Sequence, residues 1–225
     1  MKYIVFHIER TGGTTLRHIL FNHYGWHSGA VYPHYGVFEG KTMPPFTLNE
    51  EVAKSKFIMG HLVRYGIHEM FDEPCYYILF LRDPYARMQS WYNHARVSDV
   101  KAGSSIRDFE TWFDFFKTRP EFSSFVSPPS LQAAKESLHQ MSFIGFQESL
   151  SEDMHQLLPS YKYIDAIDKD NSTQKLIDSV GIEAVSFTEE QAERVREVLK
   201  EDYEFVNYAR ELRKNGLNKG FTLSL

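Results

Sequence analysis

The chain has 225 residues, 42% of them hydrophobic and 24% charged, a length and balance that fit one ordinary domain over residues 1–225 with a normal buried core. Its 25 Lys and Arg stand against 30 Asp and Glu, a formal charge of −5, which argues against a protein that coats nucleic acid. The single cysteine, Cys75, excludes an internal disulfide and a multi-cysteine zinc site, and no apolar run is long enough for a signal peptide core or a membrane span, so a soluble, cytoplasmic protein is expected.

Tyr3 to Phe6 reads as a short buried strand. It meets His7-Ile8-Glu9-Arg10-Thr11-Gly12-Gly13-Thr14-Thr15, after which Leu16, Ile19 and Leu20 repeat at helical spacing. The order is strand, glycine loop, helix. From residue 28 to 46 the periodicity disappears, and six Gly and Pro residues punctuate a long irregular segment with Tyr32, His34, Tyr35 and Phe38. Phe57 to Gly60 predicts a second strand, closed by His61. Tyr76 to Leu81 predicts a third, continuously apolar as in a sheet covered on both faces, and it runs into Arg82-Asp83-Pro84, a helix cap followed by a first-turn proline. Residues 107–117 and 131–141 read as helices, joined by a Pro- and Ser-rich connector at 120–129, a lid or a plain loop. Ser142 to Phe146 predicts another strand, with Leu150, Met154, Leu157 and Leu158 continuing as a helix. A last helix is expected from Thr188, whose Thr188-Glu189-Glu190-Gln191 has capping-box form. Repeated strand-to-helix units predict an α/β fold with a mostly parallel sheet.

Two segments carry chemistry. Gly12-Gly13 permits a tight turn whose N–H groups, with the positive end of the following helix, suit a phosphate or sulfate, while Arg10, Thr11, Thr14 and Thr15 add donors. An ordinary strand-to-helix turn has the same outline. A nucleoside-triphosphate loop would place Lys after the last glycine, where this chain has Thr14. In the second segment, Arg82 closes a strand where open α/β sheets bind ligands, and residues 83, 87 and 90 share a helix face, presenting Arg87 and Ser90 as a second anion site. An Arg82–Asp83 ion pair with Ser90 merely packed is the alternative.

Together these segments resemble the PAPS-dependent sulfotransferases, in particular the branch of carbohydrate 2-O- and 6-O-sulfotransferases and their bacterial relatives. Residues 7–16 are similar to the family's 5′-phosphosulfate loop, H-I-P-K-T-G-G-T-T, and Leu81-Arg82-Asp83-Pro84 with Arg87 and Ser90 to its 3′-phosphate segment, R-D-P-x-x-R-x-x-S. Phe143-Ile144-Gly145 with Glu148 is similar to a weaker I-G-x-x-E feature. The resemblance implies a P-loop-like three-layer fold, a mostly parallel central sheet flanked by helices, and PAPS as co-substrate with no metal. It implies that Thr11, Gly12, Gly13, Thr14 and Thr15 cradle the 5′-phosphosulfate, with Arg10 in place of the family lysine, and that Arg82 and Ser90 bind the 3′-phosphate. Glu9 replaces the family proline, and Arg10 keeps the charge in a planar fork rather than a point charge.

Transfer to a hydroxyl needs a base, and histidine suits that task near neutral pH. His61, after Gly60, is similar in position to the catalytic histidine of that branch; a strand-end histidine with a structural hydrogen bond is the alternative. His34 is the reserve candidate, and His7 is read as support for the loop. The expected acceptor is a hydroxyl of a carbohydrate or small molecule, with adenosine 3′,5′-bisphosphate (PAP) released. Trp91 and Trp112 join Tyr32, Tyr35 and Phe38 as candidate acceptor-pocket residues. The rival readings are an ATP- and magnesium-dependent kinase of similar fold and a non-catalytic nucleotide-binding protein.

Overall fold

The computed structural model describes residues 1–20, 54–61, 63–117, 120–127, 129–159 and 173–223 with their side chains, and the backbone alone at 21–24, 30–31, 37–38 and 41–42. Its centre is a five-stranded sheet. β1 (Lys2–Phe6) lies in the middle, with β5 (Phe57–Gly60) and then β2 (Ala30–Val31) on one side, and β6 (Cys75–Leu81) and β7 (Met141–Phe146) on the other. Every pairing is parallel. The long irregular segment therefore contributes an edge strand, and it also holds a separate antiparallel pair, β3 (Val37–Phe38) with β4 (Lys41–Thr42). His34, Tyr32 and Tyr35 lie outside the described residues, as does the Phe38 side chain.

Successive residues of a strand face opposite sides, so a sheet covered on both faces needs apolar residues at every position. Ile4, Phe6, Leu79, Leu81 and Ile144 pack one face against α4 (Leu131–Leu138) and α8 (Lys200–Lys214) through Leu138, Phe205 and Val206. Tyr3, Val5, Ile78, Phe80 and Phe143 pack the other against α1 (Gly13–Tyr24) and α5 (Leu150–Leu157) through Leu16, Ile19, Met154 and Leu157. This is the expected three-layer α/β arrangement. A third apolar cluster is built between helices alone, where α2 (Pro84–Lys101), α3 (Phe109–Phe116) and α7 (Glu189–Val198) meet around Trp112 and Phe187. Trp112 is 0% exposed, so it is core and not an acceptor-pocket residue. α6 (Thr173–Val180) packs against α2.

Local signals set the ends of several elements. Asp83 caps α2 by accepting from the Ala86 N–H at 2.9 Å, with Pro84 at the first helical position where its missing N–H costs nothing. Thr188 and Gln191 form the reciprocal capping box of α7. The helix expected over 131–141 stops at Leu138, because Met141 opens β7 opposite Tyr77 and is buried there. The connector at 120–129 is neither lid nor plain loop: Phe122, Phe125 and Val126 are buried in the core of the sheet face, so opening it would expose three large apolar side chains. α8 was not expected; it follows α7 after the single break at Leu199.

Candidate active site

All five strands of the central sheet run the same way, so their carboxyl ends share one edge. There the chain leaves β1 for β2 and β5 on one side and later returns to β6 on the other, and such a reversal of strand order leaves a crevice. The residues just beyond the strand ends, His7, His61, Arg82 and Gln147, all line one cavity of about 430 Å³. Arg10, Gly12, Gly13, Thr14 and Thr15 line it from the glycine loop, and Trp91, His94 and Thr173 from α2 and α6.

The glycines have separate reasons. Gly12 has φ of +88°, a left-handed conformation that costs a side-chain-bearing residue energy. Gly13 has no room for a side chain, because a Cβ there would lie 1.8 Å from His7 Cδ2. His7 thus props the loop, as anticipated. The turn also forces Arg10, which has a Cβ, to φ of +68°. Thr11 departs from expectation: it is 1% exposed and its hydroxyl donates to the Ile8 carbonyl at 2.9 Å, so its side chain braces the turn and does not reach the cavity.

The Arg10 guanidinium crosses to the α2–α6 wall. Nε donates to Ser90 Oγ at 3.1 Å and Nη2 to Thr173 Oγ1 at 2.7 Å, while the two hydroxyls are 2.9 Å apart. Burial, then the charge of Arg82, lowers Arg10 to about 10, which leaves it cationic at neutral pH. Arg82 donates to the Arg10 carbonyl at 3.2 Å. Burial lowers Arg82 as well, with Glu148 and Asp83 pulling it back up. Its Nε is buried with no hydrogen-bond partner among the described residues. The third motif braces the second, since Glu148 Oε1 accepts from the Asp83 N–H at 2.6 Å.

Ser90 is buried and does not itself line the cavity, but it meets Arg10 and Thr173, which do; Arg87 reaches neither. Arg87 is 1% exposed, pairs with Glu121 and Asp202, and lies outside the cavity. A guanidinium reaches far enough to leave the face its Cα occupies, and two buried carboxyl groups draw it inward. His94, one turn beyond Ser90 on the same helix face, was missed although extending the 83, 87, 90 series reaches it. Burial, then Arg10 and Lys101, drive its imidazole down to about 4, so it is neutral in the cavity. Thr173 was not singled out: it closes Asn171-Ser172-Thr173, a triplet of glycosylation form whose first two residues lie outside the described residues.

His61 stacks on His7 with ring centroids 4.1 Å apart, and its Nδ1 is 2.8 Å from the His7 carbonyl oxygen. A carbonyl only accepts, so Nδ1 carries the proton and Nε2 is left as the basic nitrogen. Burial lowers the His61 pKa, Glu9 and the His7 carbonyl oppose that, and Arg17 adds to it. A neutral imidazole with a fixed tautomer can take a proton.

A cavity holding two guanidinium groups, loop amides at a helix start and an unsatisfied buried Nε fits an anionic ligand. A comparison with curated protein sequences gives no match. Among solved structures the chain resembles mouse sulfotransferase SULT7A1 complexed with PAP, at TM-score 0.50 and 13% identity over 95% of this chain and 88% of that one, a likeness of fold. No helix among the described residues is long and apolar enough to cross a membrane. The sulfotransferase family model matches residues 2–209, so nearly the whole chain, glycine loop and Arg82 segment included, is accounted for: the chain belongs to the sulfotransferase family.

Proposed function

We propose that the cavity binds PAPS and that the enzyme transfers its sulfuryl group to a hydroxyl of a carbohydrate or small-molecule acceptor, releasing PAP. The observation that carries this reading is the convergence at one strand edge of an anion cradle and a histidine whose basic nitrogen is fixed. PAPS supplies, when bound, a sulfuryl group on a phosphosulfate anhydride whose bridging oxygen becomes anionic as the group leaves.

The residues divide the work. The N–H groups of Gly12 to Thr15 and the hydroxyls of Thr14 and Thr15 hold the 5′ anion at the start of α1. Arg82 and Ser90, joined by Thr173, hold the 3′-phosphate. Arg10 stays cationic and already touches Ser90, so it links the two anion positions and stabilises charge developing on the leaving oxygen. It does not act as an acid, because a guanidinium does not give up its proton at working pH. His61 Nε2 takes the acceptor proton as the acceptor oxygen forms its bond to sulfur, and the imidazolium that results keeps Nδ1–H on the His7 carbonyl.

Calorimetric titration with PAP, with ATP plus magnesium as comparator, tests the donor half of this reading. Metal-independent binding of PAP that is lost in Arg82→Ala supports it, and binding of ATP–magnesium alone overturns it. An acceptor screen with PAPS, read as PAP release, then tests the transfer.

A further inference from the structure

Arg87, Glu121 and Asp202 are 1%, 0% and 2% exposed. Arg87 Nε lies 3.3 Å from Glu121 Oε2, Arg87 Nη2 lies 4.0 Å from Asp202 Oδ2, and the Glu121 N–H donates to Asp202 Oδ1 at 2.5 Å. Neither Glu121 carboxyl oxygen makes a hydrogen bond of full geometry among the described residues, although the Arg82 N–H faces the group. Two buried carboxyls therefore share one guanidinium, and a second uncompensated charge in such a place is not tolerated. Asp202 has a backbone donor as well as the guanidinium, so it holds the negative charge. Glu121 has the shared guanidinium and, more weakly, the Arg82 N–H, and takes the proton. Burial raises Glu121 to about 8, with Arg87 pulling it down and Asp202 pushing it up; burial raises Asp202 to about 6.

This cluster adjoins the cavity. The Arg87 guanidinium is 5.1 Å from the centre of the Trp91 ring, which lines the cavity. Glu121 faces Arg82 at the end of β6, Arg87 on α2, Glu148 after β7 and Asp202 on α8, and Glu201 faces Asp202. A second cavity of about 270 Å³ reaches Asp202 and Pro120, next to the buried carboxyls.

We propose that Glu121 is a positioning residue for the Arg82 anion site: it keeps its proton while Arg82 grips an anion, and losing that proton to solvent places a negative charge behind Arg82 and loosens the grip. The inference rests on reading the cavity as the PAPS site. PAP is titrated calorimetrically into wild type and Glu121→Gln, a permanently neutral near-isostere, at pH 7 and pH 9, a range over which the ligand's own phosphates, about nine-tenths ionised at pH 7, change little. Wild type is expected to lose about tenfold in affinity over this range relative to the variant. Asp202→Asn, a second variant, removes the charge that pushes Glu121 up while burial still raises it, so its loss is expected to begin at lower pH and to be smaller over this range. Equal losses in all three proteins overturn the positioning role.

Thermal denaturation without ligand isolates the proton. The folded-state value of Glu121 lies above its ordinary 4.5, so its contribution to stability is complete below 4.5 and is lost as pH rises to about 8. The melting temperature of wild type is expected to fall relative to Glu121→Gln across that window. Parallel melting curves overturn the proton assignment and the proposal with it. Failure of wild type to bind PAP at either pH overturns the donor reading instead, and the melting comparison still decides where the proton sits.

Discussion

Arg82 and Arg87 belong to one sequence motif and are both largely shielded from water, yet they serve opposite ends. Arg87 meets two carboxyls and is neutralised inside the protein. Arg82 meets a backbone carbonyl, keeps a buried Nε without a partner among the described residues, and faces a cavity. An arginine already matched by protein anions has little left to offer a ligand; one held by a neutral carbonyl keeps its charge for an incoming anion. The separation also shows why a helix-face argument places Cα atoms better than the tips of long side chains.

The largest effect expected on the cavity side is at His61. His61→Ala should reduce turnover by about 10²- to 10⁴-fold while PAP affinity measured by calorimetry stays near wild type, and equal loss of both would show that His61 shapes the nucleotide site instead. On the interior side, Arg87→Ala strands two carboxyls and should cost about 3–5 kcal/mol in urea denaturation. Arg82→Ala should reverse that pattern, with a loss of PAP affinity on the order of 100-fold, as for truncating one partner of a hydrogen-bonded charge pair, and little change in the urea midpoint. If both variants lost only stability, the contrast between the two arginines would collapse.

A pH profile sharpens the cavity side further. The basic form of His61 is the active one, and burial sets its pKa below the ordinary 6.5. The specific activity should therefore rise with pH with its midpoint below 6.5; a rise centred above 6.5 would assign the titrating group elsewhere. The smallest effect is a control away from both regions. Thr188→Ala removes the cap of α7 and should cost about 1 kcal/mol with no change in PAP affinity.

Most strands were legible because each is a short apolar run stopped by Gly, His or Arg, and several helix starts because their caps are chemical signals within three residues. Other features depended on distant partners. Met141 looks helical until Tyr77 pairs beside it, and the connector around Phe122 looks loose until the sheet face takes its aromatic rings.

Local chemistry in the chain alone was enough to mark the strand-to-helix units, the glycine loop, the Arg82 segment and the family resemblance, since all of these are written in residues close together. Only the tertiary structure could join Arg10 to Ser90 and Thr173, turn Arg87 toward Glu121 and Asp202, brace Thr11 against Ile8, bring His94 to the cavity wall and fix the tautomer of His61. The long-range contacts among these join residues up to 163 positions apart, and the rest turn on where a side chain points once the sheet has set the backbone; spacing along the chain records neither.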